Sequence, residues 1–343
     1  MLEKPDISPA KIAACLQTAY GVTAVQIIFL PLGADQNTAV YRIETGDETA
    51  GETAHFLKLR SGVFDETAVT LPQFLHDQGI RQIITPLTTK TGQLWTTLDS
   101  FTAILYPFVD GHNGREVKLS AAQWHEFGAA LKKLHTLAAP PTIRAYLRQE
   151  AYAPRWREMV KMFLERVQSD AYDDPVALEL AAFLRSRRAE ILDLVQRAEQ
   201  LAKSLSRESP ELVLCHADIH ASNVLVNGRD ALYIVDWDDP LLAPKERDLM
   251  FIGGAQGFVG YDAQEEEALF YRGYGLVTLN PRALAYYRYE RIIEDIALYC
   301  EQLLLSNEGG QDRAQSLRYL VSNFLPAGTI EAARRADKRY ETA

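Results

Sequence analysis

Residues 216–236 constrain this chain more than any other stretch: His216-Ala217-Asp218, four residues, Asn223, two short apolar runs around Asn227-Gly228, then Asp236. An Asn-Gly pair between apolar runs (VLVNGRDALYIV, 224–235) is the strongest short-range hairpin signal a sequence offers. A hairpin returns its end to its start, so Asp236 is expected back beside Asn223 across twelve intervening residues. Asp218 and Asn223 are too far apart for one helical turn and fit a loop that presents both side chains to one cavity. An isolated H-x-D or D-x4-N means little, and ordinary turn carboxylates explain either alone. The joint pattern, closed by Asp236-Trp237-Asp238-Asp239, is specific.

At 343 residues the chain is long enough for about two lobes with a sizeable core. Its net charge of −10, from 36 basic and 46 acidic residues, argues against a nucleic-acid partner, which calls for a basic footprint. The same balance suits a cationic small-molecule substrate. The first residues, MLEKPDISPAKIAACL, lack the basic start and apolar stretch of a secretion signal, and no run reaches the length of a membrane span. No membrane partner is expected and a cytoplasmic location is. Cys15, Cys215 and Cys300 are scattered and odd in number, which suggests neither a disulfide framework nor a metal site. Oligomeric state is not written in the sequence.

Patterning divides the chain in two. Residues 22–30, 38–45 and 53–60 read as strands, 65–78 as a helix stopped at Gly79, and 93–98 with 101–109 as a hairpin around Asp99-Ser100. Residues 110–119 read as a polar linker. Helices dominate beyond it. Ser120 and Gln123 form a capping box, and Pro140-Pro141 stops the helix it opens. Pro154 starts another helix, and Asp174-Pro175 opens a long one reaching about Leu205. Further helices are expected near 263–274, 281–305 and 312–325, with a charged tail from residue 331 that frays or lies on the surface. The expected architecture is α+β. A β-rich nucleotide-binding N-lobe spans 1–108. A helical catalytic and substrate-binding C-lobe spans 109–343, with a helical insert over about 142–205 that selects the acceptor.

The carboxylate, carboxamide, carboxylate set is what phosphoryl transfer from a nucleotide uses. One carboxylate orients the attacking hydroxyl, and the amide and second carboxylate hold metal ions. Asp218 is the expected catalytic residue, with Asn223 and Asp236 as Mg2+ ligands, since Mg2+ prefers oxygen donors. ATP also needs a cation on its phosphates. Lys58 sits inside an apolar strand, where an unpaired ammonium is costly, and Glu66 on the following helix is its expected partner. Pro72 lies inside that helix and weakens it. Gly33, in the turn between the first strands, is placed over the phosphates, and the backbone from Leu105 to Phe108 against adenine. No G-x-x-x-x-G-K-[ST] occurs, which removes the Walker-type alternative. His216 reads as a strut of the loop, and His220 suits either loop packing or the substrate pocket. Asp248 is placed to hold backbone N–H groups of the loop, and Cys215 to fill the core.

These residues resemble the aminoglycoside phosphotransferase and choline-kinase-like family, most closely its spectinomycin-phosphorylating members. The likeness is densest in LCHADIHASNVLV, YIVDWDDPLLAPKERDLMFIGG and YYRYERIIEDIALY. It implies a protein-kinase-like fold and ATP- and Mg2+-dependent O-phosphorylation of spectinomycin, a cationic aminocyclitol antibiotic. Secondary amines on such an acceptor call for carboxylates and flat walls. Asp239, Glu290, Glu246, Glu294 and Asp295 are candidates for the first, and Trp237, Trp156, Tyr152 and Tyr287 for the second, with His220 beside them. The rival readings are a kinase of another small hydroxyl metabolite, such as choline, homoserine, a methylthio-sugar or a glycated amine, and a non-catalytic nucleotide-binding relative.

Overall fold

The apolar alternation of the first hundred residues and the helical periodicity beyond them recur as two sets of elements. The computed structural model describes residues 4–32, 37–47, 51–228 and 231–341. In chain order they form α1 (Pro9–Ala19), β1 (Ala24–Leu30), β2 (Thr38–Asp47), β3 (Gly51–Ser61), α2 (Thr67–Asp77), β4 (Thr96–Leu98), β5 (Phe101–Pro107) and β6 (His112–Asn113). Then come α3 (Ala121–Thr136), α4 (Pro141–Arg144), β7 (Arg148–Gln149), α5 (Arg155–Ser169), α6 (Pro175–Leu205) and β8 (Val213–Cys215). A 3-10 turn (Ala221–Asn223) leads into β9 (Val224–Val226), β10 (Leu232–Ile234) and β11 (Leu241–Ala243). The chain ends with α7 (Glu246–Leu249), α8 (Ala263–Tyr274), α9 (Pro281–Leu304), α10 (Gly310–Ser322) and α11 (Thr329–Glu341). These elements group into two units, residues 1–113 with 223–239, and residues 114–222 with 240–343.

The first unit is built on an antiparallel sheet of order β1-β2-β3-β5-β4. One face of it buries Tyr41, Ile43, Leu57, Leu59 and Leu105 against Ile12 and Leu16 of α1. Each such side chain contributes roughly 1.5–3 kcal/mol of burial. The hairpin expected at Asp99-Ser100 pairs Leu98 with Phe101, and Asp99 supplies the left-handed turn residue (φ 52°). The polar linker holds an unexpected strand: β6 pairs with β9 to give a second sheet of order β10-β9-β6. Two residues are too few for an apolar pattern to announce them. Beside the β9–β10 connection the Asn227 side-chain oxygen accepts from the Ala231 N–H.

In the second unit the cap signals are realised. The Ser120–Gln123 box opens α3, and Asp174 accepts from the Ala177 N–H at the start of α6. Helix α9 is the centre of the unit. Tyr286, Tyr287, Ile292, Ile293, Ile296, Ala297, Cys300 and Leu303 are buried on it, and α5, α6, α7, α10 and α11 pack against it. The tail, expected to fray or lie on the surface, forms helix α11, docked through one face. Ile330, Ala332, Ala333 and Ala336 are buried, and Asp337 takes both 2.6 Å bonds of the Arg197 guanidinium. Small alanines allow close approach, which the charge of the segment concealed. Among the described residues no helix is long and apolar enough to cross a membrane.

Candidate active site

In the first unit, the ladder pairs Ile234 with Val224, and the Val235 N–H donates to the Asn223 carbonyl at 3.0 Å. Asn223 and Asp236 therefore flank the same open end of the β9–β10 hairpin. Ile234 is also anchored to the segment after α2, by a bond to the Gln82 carbonyl. Asp236 has φ 67°, a left-handed conformation that Asp tolerates better than most residues and that bends the chain sharply after β10.

Lys58 points its ammonium at this bend. Its Nζ lies 2.8 Å from Asp236 Oδ1 and 2.8 Å from Asp238 Oδ2. Arg60, two residues along β3 and so on the same strand face, meets the same Asp238 oxygen at 2.6 Å. Burial alone would lower the Lys58 pKa, but the Asp236 and Asp238 carboxylates outweigh it and raise it, so the side chain stays charged. Two cations thus converge on one internal carboxylate, with a second beside it. Asn223 and Asp236 supply a carboxamide and a carboxylate, hard oxygen donors that suit Mg2+.

The second unit carries the loop from His216 to Ser222. Ala217 sits at φ 73°, which costs a residue with a Cβ roughly 1–2 kcal/mol. Asp248, fully buried in α7, offsets this by accepting from the His216 N–H at 3.0 Å and the Ala217 N–H at 2.7 Å. Hydrogen bonds to a charged acceptor contribute about 1.5–3 kcal/mol each. Its Oδ2 also meets His135 Nε2 at 3.0 Å, and His135 Nδ1 lies 2.8 Å from the Tyr274 hydroxyl. Burial would raise the Asp248 pKa, but His135, His216 and the Ala217 N–H together bring it below the ordinary value. His216 is the expected strut, its Nδ1 accepting from the Asp218 N–H at 3.2 Å. Cys215 is buried in β8, and burial pushes its thiol up.

The Asp218 carboxylate is held from α9. Arg291 Nη1 lies 3.0 Å from Asp218 Oδ1, and His220 Nε2 lies 3.6 Å from Asp218 Oδ2. Arg291 Nε also meets Asp295 at 3.3 Å, the i,i+4 pair legible in the sequence. Nearby on the same helix, Glu290 binds the buried Arg157 at 3.1 Å, and Glu294 lies 3.8 Å from Arg247. Burial, only partly offset by Arg157, pushes the Glu290 carboxyl up to about 7.

Several expectations are corrected. Glu66 is exposed at the N-cap of α2 and makes no ion pair with Lys58; the Lys58 partners come from the hairpin end instead. Leu105 is fully buried mid-strand with its carbonyl taken by the Leu87 N–H, and the Phe108 N–H donates to the Ala54 carbonyl. Those two groups are therefore already bonded within the first unit, to Leu87 beyond α2 and to Ala54 of β3. Trp237 is buried, its Nε1–H donating to the Ile234 carbonyl at 3.1 Å, so its ring packs the hairpin rather than forming a wall. His220 needs no correction: its Nδ1 accepts from the Ser222 N–H, in keeping with the loop-packing alternative, and its Nε2 lies beside Asp218. Asp239 is exposed, and Gly33 lies outside the described residues. Asp238, Arg60 and the Arg291–Asp218 pair were missed. The i,i+2 spacings Lys58/Arg60 and Asp236/Asp238 were the available signal for the first two.

A family model described as a phosphotransferase enzyme family, APH, matches residues 30–286. The chain belongs to the phosphotransferase enzyme family. A search of the curated proteins found no match. Among solved structures this family member is similar to spectinomycin phosphotransferase APH(9)-Ia in complex with ADP and spectinomycin. The two are 38% identical over 97% of this chain and 99% of that one, with a TM-score of 0.88. The AMP-bound complex of that enzyme is 37% identical over 95% and 98%, with a TM-score of 0.83. An amicoumacin kinase, 16% identical over 94% and 95% with a TM-score of 0.59, shares the fold. The family fold is kinase-like, an antiparallel sheet followed by a helical region.

Proposed function

We propose that this phosphotransferase moves the γ-phosphoryl group of ATP to a hydroxyl of spectinomycin and so inactivates the antibiotic. The observation that carries the reading is its 38% identity, over nearly the whole of both chains, to an enzyme solved with ADP and spectinomycin. Likeness to choline and ethanolamine kinases stays at 13–16% identity and speaks only for the fold.

Each residue has a role that its surroundings support. Asp218, on the loop fixed by Asp248, aligns the attacking hydroxyl and receives its proton as the bond forms; in a loose transition state alignment matters more than early proton removal. Lys58 binds phosphate oxygens and exchanges internal carboxylates for them. Asn223 and Asp236 would hold Mg2+, which when bound neutralises charge on the phosphates. The net charge of −10 favours approach of a cationic acceptor.

Mass spectrometry of spectinomycin after incubation with protein and MgATP tests the reading, and the expected product carries one added phosphoryl group. Turnover of choline, homoserine, a methylthio-sugar or a glycated amine in preference to spectinomycin would overturn it.

A further inference from the structure

Asp218 sits on a loop, where no helix or ladder fixes a side-chain rotamer, yet its assigned task is alignment. Its carboxylate is reached from α9 by Arg291, whose Nη1 lies 3.0 Å from Oδ1. That guanidinium is itself gripped from behind. Its Nε meets Asp295 Oδ1 at 3.3 Å, and Asp295 Oδ2 lies 3.4 Å from Asn323 Nδ2. The Asn323 side-chain oxygen in turn accepts from the Thr329 hydroxyl at 2.6 Å. The chain Thr329–Asn323–Asp295–Arg291–Asp218 thus runs from the start of α11 to the loop. An exposed i,i+4 pair on a helix is worth only about 0.3–0.5 kcal/mol and has no need of a third partner. Arg291 is different because one partly buried guanidinium forms ion pairs with two carboxylates, Nη1 with Asp218 and Nε with Asp295, which a lysine's single point charge cannot span in the same way.

We infer that Arg291 is the positioning residue of Asp218: anchored by Asp295, it fixes Oδ1 and so sets the plane in which Oδ2 meets the acceptor hydroxyl. The inference rests on the reading of Asp218 as the hydroxyl-aligning group. A displacement of about 1 Å at an aligned group costs roughly 100-fold in rate.

The test compares Arg291→Met, Arg291→Lys and Asp295→Asn with the parent enzyme in spectinomycin turnover, and in ADP binding by calorimetry. Arg291→Met should lower kcat about 100-fold while KM for ATP and affinity for ADP stay within about twofold. Arg291→Lys should recover about tenfold of that loss, since the charge returns without the fork. Asp295→Asn should lower kcat about fivefold with KM for ATP unchanged. An Arg291→Met kcat within threefold of the parent, or a loss falling on ADP affinity instead, would overturn the inference. If Arg291→Met fails to fold, the same split read in Arg291→Lys and Asp295→Asn decides. Parent enzyme that turns over no acceptor sinks the proposed function, whereas parent turnover with an unaffected Arg291→Met sinks this inference alone.

Discussion

The two units carry charge clusters of opposite sense. In the first, two cations of β3, Lys58 and Arg60, converge on Asp238, with Asp236 alongside. In the second, two carboxylates, Asp218 and Asp295, converge on one guanidinium, Arg291. A group of cations that holds an internal anion is prepared for an external one, such as phosphate. Carboxylates that hold an internal cation are prepared for a polar or cationic acceptor. In the first, the carboxylates keep Lys58 charged although it is withdrawn from water, where a lone charge would be costly. The difference predicts a crossed pattern of defects: damage to the second cluster should fall on turnover, and damage to the first on nucleotide affinity.

The largest effect belongs to Asp218→Asn. Turnover should fall by about three orders of magnitude, while ADP binding measured by calorimetry stays within about twofold. A parallel loss of ADP affinity would erase the contrast between the clusters. Next comes Asp248→Asn, which removes the ionised acceptor of two backbone N–H groups and the partner of buried His135. Urea denaturation should show about 3 kcal/mol less stability. The sign with pH follows from the lowered Asp248 pKa. Its contribution is present above the unfolded carboxyl value and is lost as pH falls through the folded one, so the parent's acid limb should flatten in the variant. An unchanged acid limb would mean that the loop is held by something else. Lys58→Ala should weaken ADP binding about 30-fold, the worth of one charge-assisted bond to phosphate. Unaltered affinity there would make Lys58 only the partner of Asp236 and Asp238.

Local signals were legible and distant partnerships were not. The Ser120 box, the Asp174-Pro175 start and the Asp99 turn each depend on residues within a few positions of one another, so the sequence carries the whole of the cause. The nearness of Asn223 and Asp236 was legible because a hairpin is a local device that brings Asp236 back. Arg291 was read only as far as Asp295, its helical neighbour. Its other partner lies 73 positions away in numbering (218 against 291) and depends on how α9 is packed. Glu66 shows the converse error: order along the chain suggested a helix-borne partner for Lys58, but the side chain falls at the exposed first turn and the hairpin acids take its place. The charged residues of α11 concealed the alanines that dock it.

The smallest expected effect tests how finely the second cluster is tuned. Burial pushes Glu290 up to about 7, against the pull of Arg157, with Glu294, Glu150 and Arg247 as the other charges acting on it. A carboxyl with a raised folded pKa takes up a proton more readily folded than unfolded. Stability should therefore decline as pH rises from the ordinary carboxyl range to about 7. Glu290→Gln keeps an oxygen acceptor for Arg157 and removes the titration, so its stability should vary less over that range in urea denaturation. A slope equal to the parent's would show that Glu290 stays ionised beside Arg157, and that this part of α9 is a fixed ion pair like the ones in the first unit. A flattened slope would leave α9 with one carboxyl, Glu290, that changes charge near neutrality beside the Arg291 chain that holds Asp218.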